Sequence, residues 1–150
     1  MLAAENPDID KNKFASLLHI CREGYVNKLK EVLGHDRDIL TYFKIQTLKG
    51  LTLLHEAVEA EQPDIVQLLL LYGVNPDLRA RGGLTPLHVA ASKGSVACTR
   101  ALIENGADIS MRDEEGQDSI AKAELHSKKC EAVIRILQSK GKKVNFNTQK

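Results

Sequence analysis

One set of landmarks recurs along this sequence at a fixed distance. Gly50, Thr52, Leu54, His55 and Ala57 stand 33 residues before Gly83, Thr85, Leu87, His88 and Ala90. Gly73 precedes Gly106 by the same 33, and Gly83 precedes Gly116. A period of that length calls for supersecondary units stacked side by side, because one such unit cannot bury its own apolar face.

The fullest copy runs from Gly83 to Ser110, GLTPLHVAASKGSVACTRALIENGADIS. Thr85 is placed to cap a short helix, with Pro86 at the first helical position, where a missing N–H costs nothing. Leu87, Ala90 and Ala91 face inward, the alanines small enough for neighbouring helices to approach, and Gly94 ends the helix. A second helix carries Val96, Cys98, Ala101, Leu102 and Ile103 up to Asn105-Gly106, a stop that suits positive φ. Residues 107–116 then run out and turn back towards the next unit.

The 33-residue period with Thr85-Pro86-Leu87-His88 resembles the ankyrin-repeat family. The resemblance covers roughly residues 14–140, with two repeats near consensus and two degenerate. It implies an all-α solenoid of helix-turn-helix units with protruding β-hairpin fingers. It also implies a concave face of fingers and inner helices that binds another protein.

The expected organisation is a flexible N-terminus over 1–12, repeats near 13–34, 50–82, 83–115 and 116–140, and a basic tail or linker over 141–150. The first repeat lacks Thr-Pro-Leu-His but keeps Phe14, Leu17, Leu18 and Cys21 on one face, stopped by Gly24. The second places Leu53 where proline is expected and Glu61 where glycine is expected. In the fourth, Asp118 stands in for threonine and can still cap, and an outer helix is expected over about 129–139. The segment GKKVN at 141–145 echoes 106–110, as a decayed fifth repeat or the start of more chain.

Between the first two repeats the spacing lengthens by four, from Gly24 to Glu61. The insertion, 35–49, holds an expected extra helical turn at Arg37–Tyr42. Tyr42 and Phe43 sit here together in a chain with only 4% aromatics and no Trp. Two roles stay open for them: covering the first two repeats as local core, or contacting a partner.

Formal net charge is +1, which points to neither nucleic acid nor a membrane surface. The charge is uneven: acids concentrate over 104–118 and bases over 121–150. Lys140, Lys142 and Lys143 read as a solubilising tail. No apolar run is long enough to span a bilayer. Cys21, Cys98 and Cys130 fall on apolar helical positions and read as reduced core residues of an intracellular protein, cytoplasmic or nuclear.

No phosphate loop, nucleophile elbow or paired carboxylates are present, so neither catalysis nor a cofactor is expected. His55 and His88 occupy a position from which the ring can bond the capping Thr and a neighbouring loop carbonyl. His126/Cys130 and His19/Cys21 have spacings a metal could use, but neither has a second pair, so no metal site is expected. Glu56, Glu59 and Glu61 read as a solvated acidic face.

Carried over by position, the resemblance places partner contacts on the finger tips at Arg79, Arg81, Arg112 and Glu114. On the inner helices it places them at Glu56, Glu59, Val89, Ser92 and Lys93, continued by Lys122 and Leu125. Tyr42 and Phe43 join this set if the insertion is an interface. The expected function is a non-enzymatic protein-interaction module, a monomer alone or a heteromer with its partner. The alternative is an N-terminal targeting domain of a larger enzyme or signalling protein. In size the chain is similar to four-repeat inhibitors of cyclin-dependent kinases, although its insertion and termini depart from them.

Overall fold

Asp10 starts the first helix: its carboxylate accepts from the backbone N–H groups of Asn12 and Lys13 at 2.9 and 3.2 Å. A computed structural model describes residues 9–36, 38–126 and 130–147. Expectations for residues 1–8, Arg37, Lys128, Lys129 and 148–150 lie outside these, as do those for the side chains of 142–147.

Helix α1 (Lys11–Glu23) begins two residues before the apolar periodicity, whose polar first turn carries no signal. Ile9, expected in a flexible stretch, is buried. It stands just before the cap, where an apolar residue can pack on the fourth helical residue, here Phe14. Gly24, at φ 74°, ends the helix. Next come α2 (Val26–His35) and the short α3 (Ile39–Tyr42) of the insertion. The repeats proper follow as α4 (Leu53–Glu59) with α5 (Pro63–Leu71), α6 (Pro86–Lys93) with α7 (Val96–Glu104), and α8 (Ser119–Leu125) with α9 (Glu131–Asn147).

Helices α1, α4, α6 and α8 pack in one row and α2, α5, α7 and α9 in a second, each helix touching its counterpart in the next repeat. The core runs between the rows. Leu54, Ala57, Val58, Ile65, Val66, Leu69, Ala90, Ala91, Cys98 and Leu102 are fully buried. Each large aliphatic side chain there contributes about 1.5–3 kcal/mol by leaving water.

The fingers share one hydrogen-bonding pattern. In the first, Thr47 N–H donates to Leu51 O and Gly50 N–H to Thr47 O, both at 2.8 Å. One period later, Ala80 N–H donates to Leu84 O and Gly83 N–H to Ala80 O. One further on, Asp113 N–H donates to Gln117 O and Gly116 N–H to Asp113 O. Gly50, Gly83 and Gly116 all have φ between 71° and 78°, which explains why glycine recurs at this period. Consecutive fingers are joined as Arg81 N–H donates to Gly50 O and Glu114 N–H to Gly82 O, each at 2.9 Å. These are tight hairpin turns without strands. Among the described residues the fingers carry an isolated bridge at Gln46 and no extended strand.

One expectation changes. Helix α9 does not stop at Gly141 but continues to Asn147. Gly141 stands inside the helix without a left-handed φ, and a Cβ there would make only ordinary contact with Ile109 Cδ1, at 3.7 Å. Glu61 takes the position filled by Gly94 in the next repeat and adopts φ 54°, the left-handed region, without being glycine.

Candidate protein-interaction surface

The histidines are committed to holding the repeats together. His55 Nδ1 lies 2.8 Å from Thr52 Oγ1, and its Nε2 lies 2.9 Å from Leu84 O in the next finger. His88 repeats this one period on, with Thr85 Oγ1 at 2.8 Å and Gln117 O at 2.9 Å. A carbonyl oxygen only accepts, so Nε2 carries the proton in each ring and Nδ1 accepts from the hydroxyl. In the third repeat Thr85 N–H also donates to His88 Nδ1, while His88 N–H donates to Thr85 Oγ1, so the two residues cap the helix reciprocally. Burial pushes the His55 imidazole down to about 4, against the opposing pull of its bond to Leu84.

The cysteines are all buried and free. Burial pushes the Cys21 thiol up to about 12, with the Glu56 charge adding to it, and also raises Cys98. Low-pKa nucleophilic chemistry is therefore not available at these two thiols. Among the described residues no three His, Cys, Asp or Glu side chains converge as a metal site would. No helix there is long and apolar enough to cross a membrane.

Four of the candidate contact residues lie inside, and for Tyr42 and Phe43 this favours the core role of the two left open. Tyr42 and Phe43 are each 5% exposed, and Tyr42 stacks on Phe14 with ring centroids 6.4 Å apart. Lys13 sits over the Tyr42 ring and pairs with Asp36, so the insertion folds back as local core. Val89 is 8% exposed and packs inward from α6.

Glu56 is 2% exposed and is not part of a solvated acidic face. It accepts from Arg22 Nε at 2.9 Å and from Thr47 Oγ1 at 3.3 Å, tying α1 and the first finger to α4. A carboxylate four positions into a helix looks solvated in the sequence because its cation is 34 residues away.

The others are accessible in different degrees. Glu59 and Lys93 pair with each other at 3.1 Å across α4 and α6, both half-exposed. Ser92 donates to His88 O within its own helix. Arg79 Nη1 donates to Arg112 O at 3.1 Å and Arg112 Nη1 to Gly116 O at 2.6 Å, so these guanidinium groups brace the finger row. Arg81 and Glu114 are exposed.

Lys122 is drawn into the third finger by Asp113 at 2.8 Å and Glu115 at 3.1 Å, while Leu125 is exposed. Burial works to raise the Asp113 carboxyl. The Lys122 ammonium and the backbone N–H groups of Gln117 and Glu115 outweigh it and hold Asp113 below the usual range.

One feature escaped sequence reasoning. A groove of about 390 Å³ lies between α1 and the first finger, lined by Lys11, Phe14, Ala15, Leu18, Arg22, Thr47, Leu48 and Lys49. The only signal for it was Leu48, an apolar residue next to lysine in a turn.

Residues 54–148 match a family model described as ankyrin repeats, three copies. The chain is 42% identical over 67 residues to human protein phosphatase 1 regulatory subunit 27, covering 45% of this chain and 44% of the relative. It is 38% identical over 74 residues to rat NF-kappa-B inhibitor alpha, covering 49% of this chain and 24% of that protein. It is 36% identical over 70 residues to the Arabidopsis thaliana E3 ubiquitin-protein ligase KEG, 47% of this chain but 4% of the ligase. The alignments thus span less than half of each of these relatives. Among solved structures, the ankyrin repeat domain of Bcl-3 superposes with a TM-score of 0.75 at 25% identity, over 83% of this chain and 56% of that one.

Proposed function

The chain belongs to the ankyrin-repeat family, and from that premise we propose that it is a non-enzymatic module that binds a protein partner through its fingers and first helix row. It acts as an adaptor, inhibitor or regulatory subunit. The observation that carries this reading is the contrast between a fixed finger backbone and a changing finger tip. The same turn hydrogen bonds recur at 47–51, 80–84 and 113–117, yet the central pair changes from Leu48-Lys49 to Arg81-Gly82 to Glu114-Glu115. The shared requirement of the three turns is the glycine at 50, 83 and 116, so the side chains present at the tips are free to serve recognition.

The relatives support a regulatory role, since one is named as a phosphatase regulatory subunit and another as an inhibitor of NF-kappa-B. Three free, buried cysteines suit a reducing compartment, the cytoplasm or the nucleus. The alternative, a targeting domain of a larger protein, draws support from the ligase, of which the matching segment is a small part.

The test is affinity capture with cross-linking, followed by charge reversal. Arg79→Glu, Arg81→Glu and Arg112→Glu together should weaken binding of the captured protein by more than about tenfold. Arg135→Glu, on α9 in the second row, should not. Equal losses from both sets would move the interface to another face.

A further inference from the structure

The groove between α1 and the first finger is apolar inside and basic at its edge. Phe14 forms the floor, Ala15 and Leu18 one wall, and Leu48, 79% exposed, the lip. Lys11 and Lys49 flank it, and neither has a carboxylate within ion-pair distance among the described residues. Among the described residues no acidic side chain lines it. Arg81 stands beside the first finger, its N–H bonded to Gly50 O, and brings a further positive charge to the same end of the stack. The fold does not require an apolar residue at position 48, because the equivalent turn positions hold Arg81 and Glu114. Leu48 therefore has no structural employment in the turn that exposes it.

We propose that this groove is the anchor subsite of the interaction surface and takes a short acidic segment of a partner protein. One bulky apolar side chain enters between Phe14, Leu18 and Leu48, and flanking carboxylates meet Lys11, Lys49 and Arg81. The volume is at the small end of binding pockets and suits one or two large side chains rather than a whole cofactor. Desolvated apolar contact inside a charged rim is the arrangement in which a single anchor dominates affinity, while the rim sets the encounter rate and the sign of the partner. The proposal rests on the reading of the chain as a protein-interaction module.

The experiment pans a library of random displayed peptides against the full chain, then measures binding of the synthesised winners by fluorescence anisotropy. Enriched sequences should place Asp or Glu on both sides of Leu, Ile, Met or Phe, and their affinity should fall as salt is raised. Leu48→Ser and Lys49→Glu, both at an exposed turn, should each weaken binding by at least about tenfold with an unchanged melt. Leu71→Ser, at another exposed leucine on α5, should not.

No enrichment, enrichment of basic or neutral peptides, or acidic binders indifferent to both substitutions would each overturn the proposal. Basic peptides lost on reversal of Glu114 would remove the groove and leave the interaction module standing. Acidic binders that pass, beside a failure to capture any protein partner, would keep the groove and remove the wider reading.

Discussion

Arg22 closes on Glu56 across the junction between the first two repeats, its Nε and Nη2 both donating to Oε2 at 2.9 and 2.8 Å. The irregular first repeat lacks a Thr-Pro-Leu-His histidine, so this ion pair does for α1 and α4 what a bridging ring does further along. Arg22→Ala should destabilise by about 1–3 kcal/mol, less than for a fully buried pair because Arg22 is itself half-exposed. Adding Glu56→Gln should recover part of that loss by removing the stranded charge. Urea melts of the single and double variants measure both effects, and an unchanged midpoint for Arg22→Ala would contradict this role.

His55 ties stability to pH. Its folded pKa of about 4 lies below its ordinary 6.5, so between those values the unfolded chain takes up a proton that the folded chain refuses. Stability from this group is complete above about pH 6.5 and falls as pH drops towards 4, by about 3 kcal/mol over the window. The difference in unfolding free energy between wild type and His55→Gln, measured at several pH values, should shrink on acidification through that window. A constant difference would show that the ring is not buried neutral.

Glu61 holds φ 54° where the next repeat uses Gly94 at φ 68°. Glu61→Gly should therefore raise stability by about 1 kcal/mol, the low end of the left-handed penalty for a residue with a Cβ. Thermal unfolding decides it, with a lowered melting temperature as the contrary result.

The insertion should behave as core. Phe43→Ala should cost about 3–5 kcal/mol, as large-to-small changes at buried aromatic positions do. A variant that melts like wild type would return Phe43 to the surface role that its burial argues against.

The repeat period made much of this molecule legible. It located the caps at Thr85 and Asp118, the stops at Gly94 and Gly106, and the bonding of His55 and His88, because each is a local backbone requirement repeated in register. It was silent where a residue's environment is set by a distant or irregular segment. Glu56 reads as solvated until Arg22 and Thr47 are placed beside it. Gly141 echoes the stop at Gly106 yet stands inside α9. The groove behind Leu48 joins the least regular helix to the inserted segment, where no period applies. Tyr42 and Phe43 read equally well as core or contact, since an apolar run in an insertion carries no information about which face covers it.

The central claim is that partner recognition runs along the fingers while the second helix row only supports them. Hydrogen exchange of the chain, free and bound to its captured partner, tests this most directly. Protection should rise over 47–51, 80–84 and 113–117 and stay unchanged over α5 and α7. Added protection confined to α5 and α7, with the three finger segments unaffected, would contradict the account.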